Sequence, residues 1–324
     1  QLIKILVKHK KVNIKYLCGS SSIDKKISYF DKSLYKNKLP KIIKFNKKLL
    51  SNIDIVFTAL PNGESQKISK VLLKKNTLID LSADFRLKKS SDYFKWYKIK
   101  HKAKNMIKNS IYALPEIKRN YIKNYKIISC PGCYPTSILL PLIPLLKNKL
   151  ISNNNIIIDS KSGYSGAGRG VHKKYKKENL YESLSAYGIA MHRHNSEIQQ
   201  ELDLCTGKKN RFQFTPHLTP MFRGILSTIY VDLRKNVTAK KVYSILNNYY
   251  KKEIFVNIAK PDTLLSTNDV INTNKCIISV CKSKHKDKLI ILSAIDNLIK
   301  GGSGQAIQNM NILFNFKENE GLNA

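Results

Sequence analysis

The sequence predicts an α/β protein in two parts, a doubly wound parallel sheet followed by a mostly antiparallel α+β domain, on three observations. Short β-rich runs at 12–17, 53–59, 77–81 and 125–129 alternate with helix-length segments of mixed polarity, which is the pattern of a parallel sheet with crossover helices. Beyond Pro135 the runs lengthen (155–160, 225–233, 276–280, 289–294) and loops separate them, as in an antiparallel sheet. The tail 297–316 then returns to helix behind Gly301-Gly302-Ser303-Gly304. At 324 residues one core would be at its size limit, so two domains are expected, 1–133 with 296–324 and 134–295. No internal repeat or low-complexity linker separates them, which implies a tight junction.

In a doubly wound sheet, ligands bind beyond the carboxyl ends of the strands. Cys18-Gly19-Ser20-Ser21-Ser22, Leu60-Pro61-Asn62-Gly63 and Ser82-Ala83-Asp84-Phe85-Arg86 all fall there, making a Rossmann-type cofactor cleft the expectation, with Ser20, Pro61 and Gly63 on the cofactor's path. Each stretch is also an ordinary turn composition.

The fourth run ends in Ser129-Cys130-Pro131-Gly132-Cys133-Tyr134-Pro135-Thr136 and an apolar segment of helical length. A cysteine at a helix N-terminus meets unpaired N–H groups and the positive end of the dipole, which favour the thiolate, so a lowered thiol pKa is expected at Cys133. Three readings stay open here: a covalent nucleophile, a buried structural thiol, or a dithiol or metal pair with Cys130. A zinc site would need two compact knuckles, and pairing with Cys276 and Cys281 supplies only one, so no metal is expected.

Composition narrows the function classes. No apolar run reaches the roughly 18 residues needed to span a bilayer, and the densest, 137–146, contains Pro141 and Pro144, so no membrane partner is expected. The formal charge of +36 invites a nucleic-acid reading, but only seven of the 58 basic residues are Arg and the lysines recur along the whole chain without forming a stripe. That spread points to surface drift and to no specific nucleic acid. A basic scaffold on a decayed enzyme fold remains the alternative. Six cysteines do not make a disulfide framework, so a reducing, cytoplasmic location is expected. Gln1 stands inside an apolar pattern (Leu2, Ile3, Leu6, Val7), so an upstream segment is expected.

Two further segments carry candidate chemistry. In His192-Arg193-His194-Asn195-Ser196-Glu197-Ile198, Asn195 suits an N-cap, so His194 projects near a helix start with Glu197 one turn on to orient it; a surface histidine beside a capping acid is the plainer reading. His172 and His217 are rivals. The loop Ser160-Lys161-Ser162-Gly163-Tyr164-Ser165-Gly166-Ala167-Gly168-Arg169 offers backbone N–H groups and a guanidinium to a phosphate, or is simply a surface loop. Arg86 and Arg223 are further phosphate candidates, because Arg is scarce here.

Taken together, the Cys133 segment, 162–169, His192-Arg193-His194 with Glu197-Ile198, Phe214-Thr215-Pro216-His217-Leu218 with Arg223-Gly224-Ile225, and Asp296-Asn297 with Gly304-Gln305-Ala306 resemble the N-acetyl-γ-glutamyl-phosphate reductases. Leu81-Ser82-Ala83-Asp84-Phe85-Arg86-Leu87 and Ala113-Leu114-Pro115-Glu116 extend the resemblance over nearly the whole chain. It implies a second domain of the semialdehyde-dehydrogenase type, NADP as cofactor, an acyl-phosphate substrate and a homodimer or tetramer. It also implies Cys133 as the nucleophile, with His194 and Glu197 in proton transfer. Ser162, Gly163, Gly166, Gly168, Gly304 and Gln305 would line the nicotinamide side, and Arg86, Arg169 and His217 would contact substrate. The family's glycine-rich phosphate turn and the strand before it would precede Gln1. Cys130 stands where the family usually has Asn, and Ser196 where it usually has Pro.

Overall fold

The computed structural model describes residues 1–167 and 182–323. In the first half, β1 (Leu17–Cys18) and β2 (Ile42–Ile43) form a two-rung parallel pair. The strands β3 (Ile55–Thr58), β4 (Thr77–Asp80), β5 (Ser110–Tyr112) and β6 (Ile127–Ser129) form a parallel sheet in the order β3-β4-β6-β5. Leu78, Ile79, Ile127 and Ile128 are fully buried, as strands covered on both faces require. The expected strand 12–17 contracts to Leu17–Cys18, because β2 offers only two residues to pair with. The short β2 and β5 had no sequence period long enough to find.

The second sheet runs through β7 (Ile156–Gly163), β8 (Ser185–Ala186), β9 (Phe212–Thr219), β10 (Ile225–Asp232), β11 (Val256–Ile258), β12 (Cys276–Lys282) and β13 (Lys288–Ile295). Its spatial order is β11-β12-β13-β10-β7-β9-β8, antiparallel except for the β7/β9 and β11/β12 pairs. Strand β9 escaped the sequence reading because Pro216 sits inside it, and proline argues against an interior strand.

Between the two sheets lies the helix Cys133–Lys147, buried from Tyr134 to Leu146. It packs on the inner face of the second sheet and against the helices His194–Thr206 and Ala239–Tyr250. Pro141 and Pro144 do not break it. A proline in a helix leaves the carbonyl four residues earlier without its N–H donor, so Pro144 frees the carbonyl of Leu140. The buried Tyr250 hydroxyl supplies the replacement, donating to that carbonyl at 2.5 Å. The Ser137 hydroxyl pins the same helix to the sheet through Ser227 at 2.8 Å, and Ser227 continues to Ser160 at 2.7 Å.

The helix Gly304–Leu313 returns to the first sheet, where Ala306, Ile307 and Met310 join Ile79, Ile111 and Ile128 in one core. One turn of π-helix, Ile299–Ser303, precedes it. Among the described residues no helix is long and apolar enough to cross a membrane.

Removing the hydroxyl in Tyr250→Phe leaves the Leu140 carbonyl buried and unpaired, and is expected to cost about 1–3 kcal/mol. Denaturant melts check this, and an unchanged midpoint would show that the carbonyl finds another donor.

Candidate active site

Strand β6 ends at Ser129, and Cys130-Pro131-Gly132 carries the chain into the helix that starts at Cys133. Gly132 is extended, so its backbone is not what demands glycine. A Cβ there would lie 2.4 Å from Nε2 of His194, so only glycine lets the imidazole rest against the backbone beside the cysteine. Gly301 does the same from the other side, since a Cβ on it would sit 2.6 Å from the Cβ of Cys133.

Glu197, in the first turn of the helix His194–Thr206, is fully buried. Its Oε2 accepts from the Gly132 N–H at 2.9 Å and from the Tyr112 hydroxyl at 3.0 Å. Its Oε1 accepts from Arg86 at 2.9 Å, and Arg86 also donates to the Leu81 carbonyl at 2.9 Å. The nearest approach to His194 is 3.8 Å, beyond hydrogen-bond range. The carboxylate therefore fixes the turn at Gly132, before Cys133, where orientation of His194 was expected. Nδ1 of His194 is buried with no partner.

Desolvation sets the protonation of the pair. Burial pushes the Cys133 thiol up to about 11, outweighing the Tyr134 N–H and the Arg86 charge that favour the thiolate. The expected lowering of this thiol is thus overturned, because the helix terminus acts against a larger loss of hydration. Burial, with Arg86 and Arg193 nearby, pushes His194 down to about 3. The resting pair is a neutral thiol beside a neutral imidazole. Tyr112 is held well above its ordinary value, first by burial and then by the Glu197 charge, and stays a donor.

The structure thus brings Cys133, His194, Glu197 and Arg86 together. Pro61 and Gly63 follow β3, and Gly63, at φ +94°, donates its N–H to Asp84 of the neighbouring strand-end loop at 2.7 Å. Ser20 lies in the turn after β1. Gly163 ends β7, where a Cβ would lie 2.6 Å from the Phe222 carbonyl oxygen, and the Ser162 hydroxyl donates to the Gly163 carbonyl. Gly166 lies where a Cβ would come within 3.2 Å of the Asn297 amide. Gly304 opens the last helix, and Gln305 is fully buried, donating to Thr136 of the helix Cys133–Lys147 at 3.1 Å. Gly168, Arg169 and His172 lie outside the described residues. His217 lies on β9, where strand alternation puts it on the sheet face opposite Phe214, with Nδ1 3.0 Å from Asp159 and its carbonyl accepting from the Tyr134 hydroxyl at 3.3 Å. All six cysteines are free thiols, and among the described residues no three His, Cys, Asp or Glu side chains cluster as metal ligands.

The sequence reading missed Tyr112 and the part played by Gly132. A glycine directly before a candidate nucleophile was the available signal for the second. Tyr112 carried none, since its role depends on which helix packs over β5.

A Cβ at Gly63 would meet only Ile99, at 4.0 Å, so the space beside this strand-end turn is open. That suits a dinucleotide laid across the carboxyl ends of the strands.

Because the folded-state value for His194 lies below the unfolded one, protons bind preferentially to the unfolded chain and stability falls as pH drops from 6.5 towards 3. Its share between pH 7 and pH 5 is about 2 kcal/mol. His194→Asn should flatten the pH dependence of the denaturant midpoint over that range, and the parent slope retained would refute the burial of a neutral imidazole.

The family model for the semialdehyde dehydrogenase NAD binding domain matches residues 1–125, and that for the semialdehyde dehydrogenase dimerisation domain matches 133–297. Two solved structures share the fold: aspartate semialdehyde dehydrogenase II from Vibrio cholerae (TM-score 0.70, 15% identity, 97% of this chain and 94% of that one) and the aspartate semialdehyde dehydrogenase with NADP from Candida albicans (0.67, 16%, 97% and 94%). Curated N-acetyl-gamma-glutamyl-phosphate reductases are much nearer in sequence. That of Thermoanaerobacter pseudethanolicus is 46% identical over 99% of this chain and 94% of its own, and that of Campylobacter jejuni 43% over 99% and 94%. A probable chloroplastic reductase from Oryza sativa is 40% identical over 99% of this chain and 78% of its own. At that identity over nearly its whole length, the chain belongs to the N-acetyl-γ-glutamyl-phosphate reductase family.

Proposed function

We propose that this chain reduces N-acetyl-γ-glutamyl phosphate to N-acetylglutamate semialdehyde with NADPH and release of phosphate, through a thioester on Cys133, as a step of arginine biosynthesis. The observation that carries the chemistry is the convergence of Cys133, His194 and Glu197 on the backbone of Gly132. The relatives' names carry the substrate, and they do not favour the basic-scaffold alternative.

With a neutral imidazole beside a neutral thiol, His194 takes the thiol proton as the sulfur attacks the acyl carbon. The C–S bond forms, the bond to the phosphate oxygen breaks, and phosphate leaves with the electron pair. NADPH supplies the hydride that reduces the thioester. When the resulting thiohemiacetal oxyanion collapses to the aldehyde, the C–S bond breaks and the departing thiolate recovers the proton from His194. Glu197 holds the Gly132 turn through both steps. Arg86 is committed to Glu197, so Arg169 is assigned to the departing phosphate. Ser20, Pro61 and Gly63 line the dinucleotide path, and Ser162, Gly163, Gly166, Gly168, Gly304 and Gln305 its nicotinamide end.

Two domains, 1–133 with 296–324 and 134–295, divide this work between cofactor and chemistry. A second copy of the chain covers the outer face of the larger sheet. There Ile157, Tyr230 and Ile290 are cross-strand neighbours on β7, β10 and β13, and Ile157 and Tyr230 are 43% and 44% exposed. One apolar row facing water beneath helices packed on the opposite face is the mark of an interface. The six free thiols suit a reducing compartment, and the cytoplasm is the assigned location.

Cys133→Ala should reduce phosphate-dependent NADP reduction with N-acetylglutamate semialdehyde by about 10³-fold or more. Undiminished turnover would remove the covalent mechanism. Tyr230→Glu should shift the sedimentation coefficient towards a monomer, and an unaltered oligomer would place the interface elsewhere.

A further inference from the structure

Lys300 is fully buried, and so is its partner Glu116. The ammonium donates to Oε1 of Glu116 and to Oε1 of Gln308 at 2.8 Å, and stands 5.6 Å from the centre of the Phe255 ring. Gln308 closes the triangle by donating to the same Glu116 oxygen at 2.9 Å, while Asn274 donates to Gln308 at 3.0 Å. A fully buried lysine is costly, and it persists only when its donors are matched in this way. Nothing in the reaction above uses it.

Its place in the chain gives it a use. Glu116 sits in the short helix Pro115–Lys118 after β5, and Lys300 in the π-turn after β13, so the pair ties the two sheets together beside the nucleophile. The π-turn is defined by the bonds Gly301 N–H to Asp296 at 2.9 Å and Ser303 N–H to Leu298 at 3.0 Å. Single π-turns are strained relative to α-helix and gather at functional sites. The residue next to Lys300 is Gly301, which abuts both Cβ and Cα of Cys133. Four residues beyond Gly301, Gln305 donates to Thr136, whose hydroxyl donates to the Gly132 carbonyl at 2.9 Å.

We propose that Lys300 is a positioning residue for Cys133: its buried pairing with Glu116 sets the π-turn whose Gly301 backs the nucleophile. The proposal rests on Cys133 as the nucleophile. Lys300 touches no reacting atom and acts through the turn alone.

Removing one partner would strand the other's charge, so the decisive variant neutralises both, Lys300→Met with Glu116→Gln, in the full-length protein. Three measurements are made: the thermal melt, kcat and KM for phosphate-dependent NADP reduction, and the rate of Cys133 alkylation by iodoacetamide against pH, read by mass spectrometry. The proposal expects a folded variant with kcat lowered 10- to 100-fold, KM within threefold of the parent, and a displaced alkylation profile at Cys133. A folded variant with the parent's kcat and profile would overturn it, leaving the pair as packing only. If the double variant does not fold, Gly301→Ala tests the same contact: loss of kcat and altered alkylation in a folded protein support the proposal, and parent values refute it. Cys133→Ala run alongside separates the two claims, since retained turnover there defeats the nucleophile assignment whatever Lys300 does.

Discussion

The structure depends on one buried carboxylate. Glu197 is fully buried, so its charge must find donors within the protein, and the three it finds come from different parts of the chain: Arg86, Tyr112 and the Gly132 N–H. Satisfying one charge therefore joins the loop after β4, strand β5, the turn before Cys133 and the helix His194–Thr206. Loss of one partner in such a group costs about 3–5 kcal/mol, because the other charge stays buried and uncompensated. The site's rigidity is a by-product of that requirement.

The same burial decides the protonation states. A helix N-terminus favours a thiolate by a modest, local interaction, whereas desolvation of the sulfur acts on the whole charge, and here the second wins. His194 answers to the same cause with the opposite sign, because its charged form is the cation. Two neutral groups side by side can exchange a proton when a substrate arrives, and the thiol is protected from adventitious alkylation and oxidation until then.

Glycine matters at this site for contact more than for conformation. Gly132 and Gly301 both have ordinary backbone angles available, yet each admits a neighbour to a distance that a methyl group would forbid. Gly63, at φ +94°, is needed instead for its dihedral angle. The prolines of the central helix follow similar logic: each loses a backbone bond, and at Pro144 a tyrosine from a distant helix replaces it.

The alternation of strand and helix, the change of texture after Pro135 and the Cys133 segment were legible in the residues, because they depend on local period and on spacing along the chain. The short strands β2, β5 and β8 were not, since two or three residues carry no period, and β9 was hidden by its proline. His194 and Glu197 could be named from one segment, but their relation could not. Their spacing suggested that the acid orients the base, and packing gave the acid to Arg86, Tyr112 and Gly132 instead. His217 shows the same division, for its motif was readable while its side of the sheet was set by strand register. What the sequence determined by itself was the set of chemical groups and the local elements that carry them. Tertiary structure alone decided which groups lose their water and which partners replace it, because desolvation depends on neighbours brought from 65 to 111 positions away.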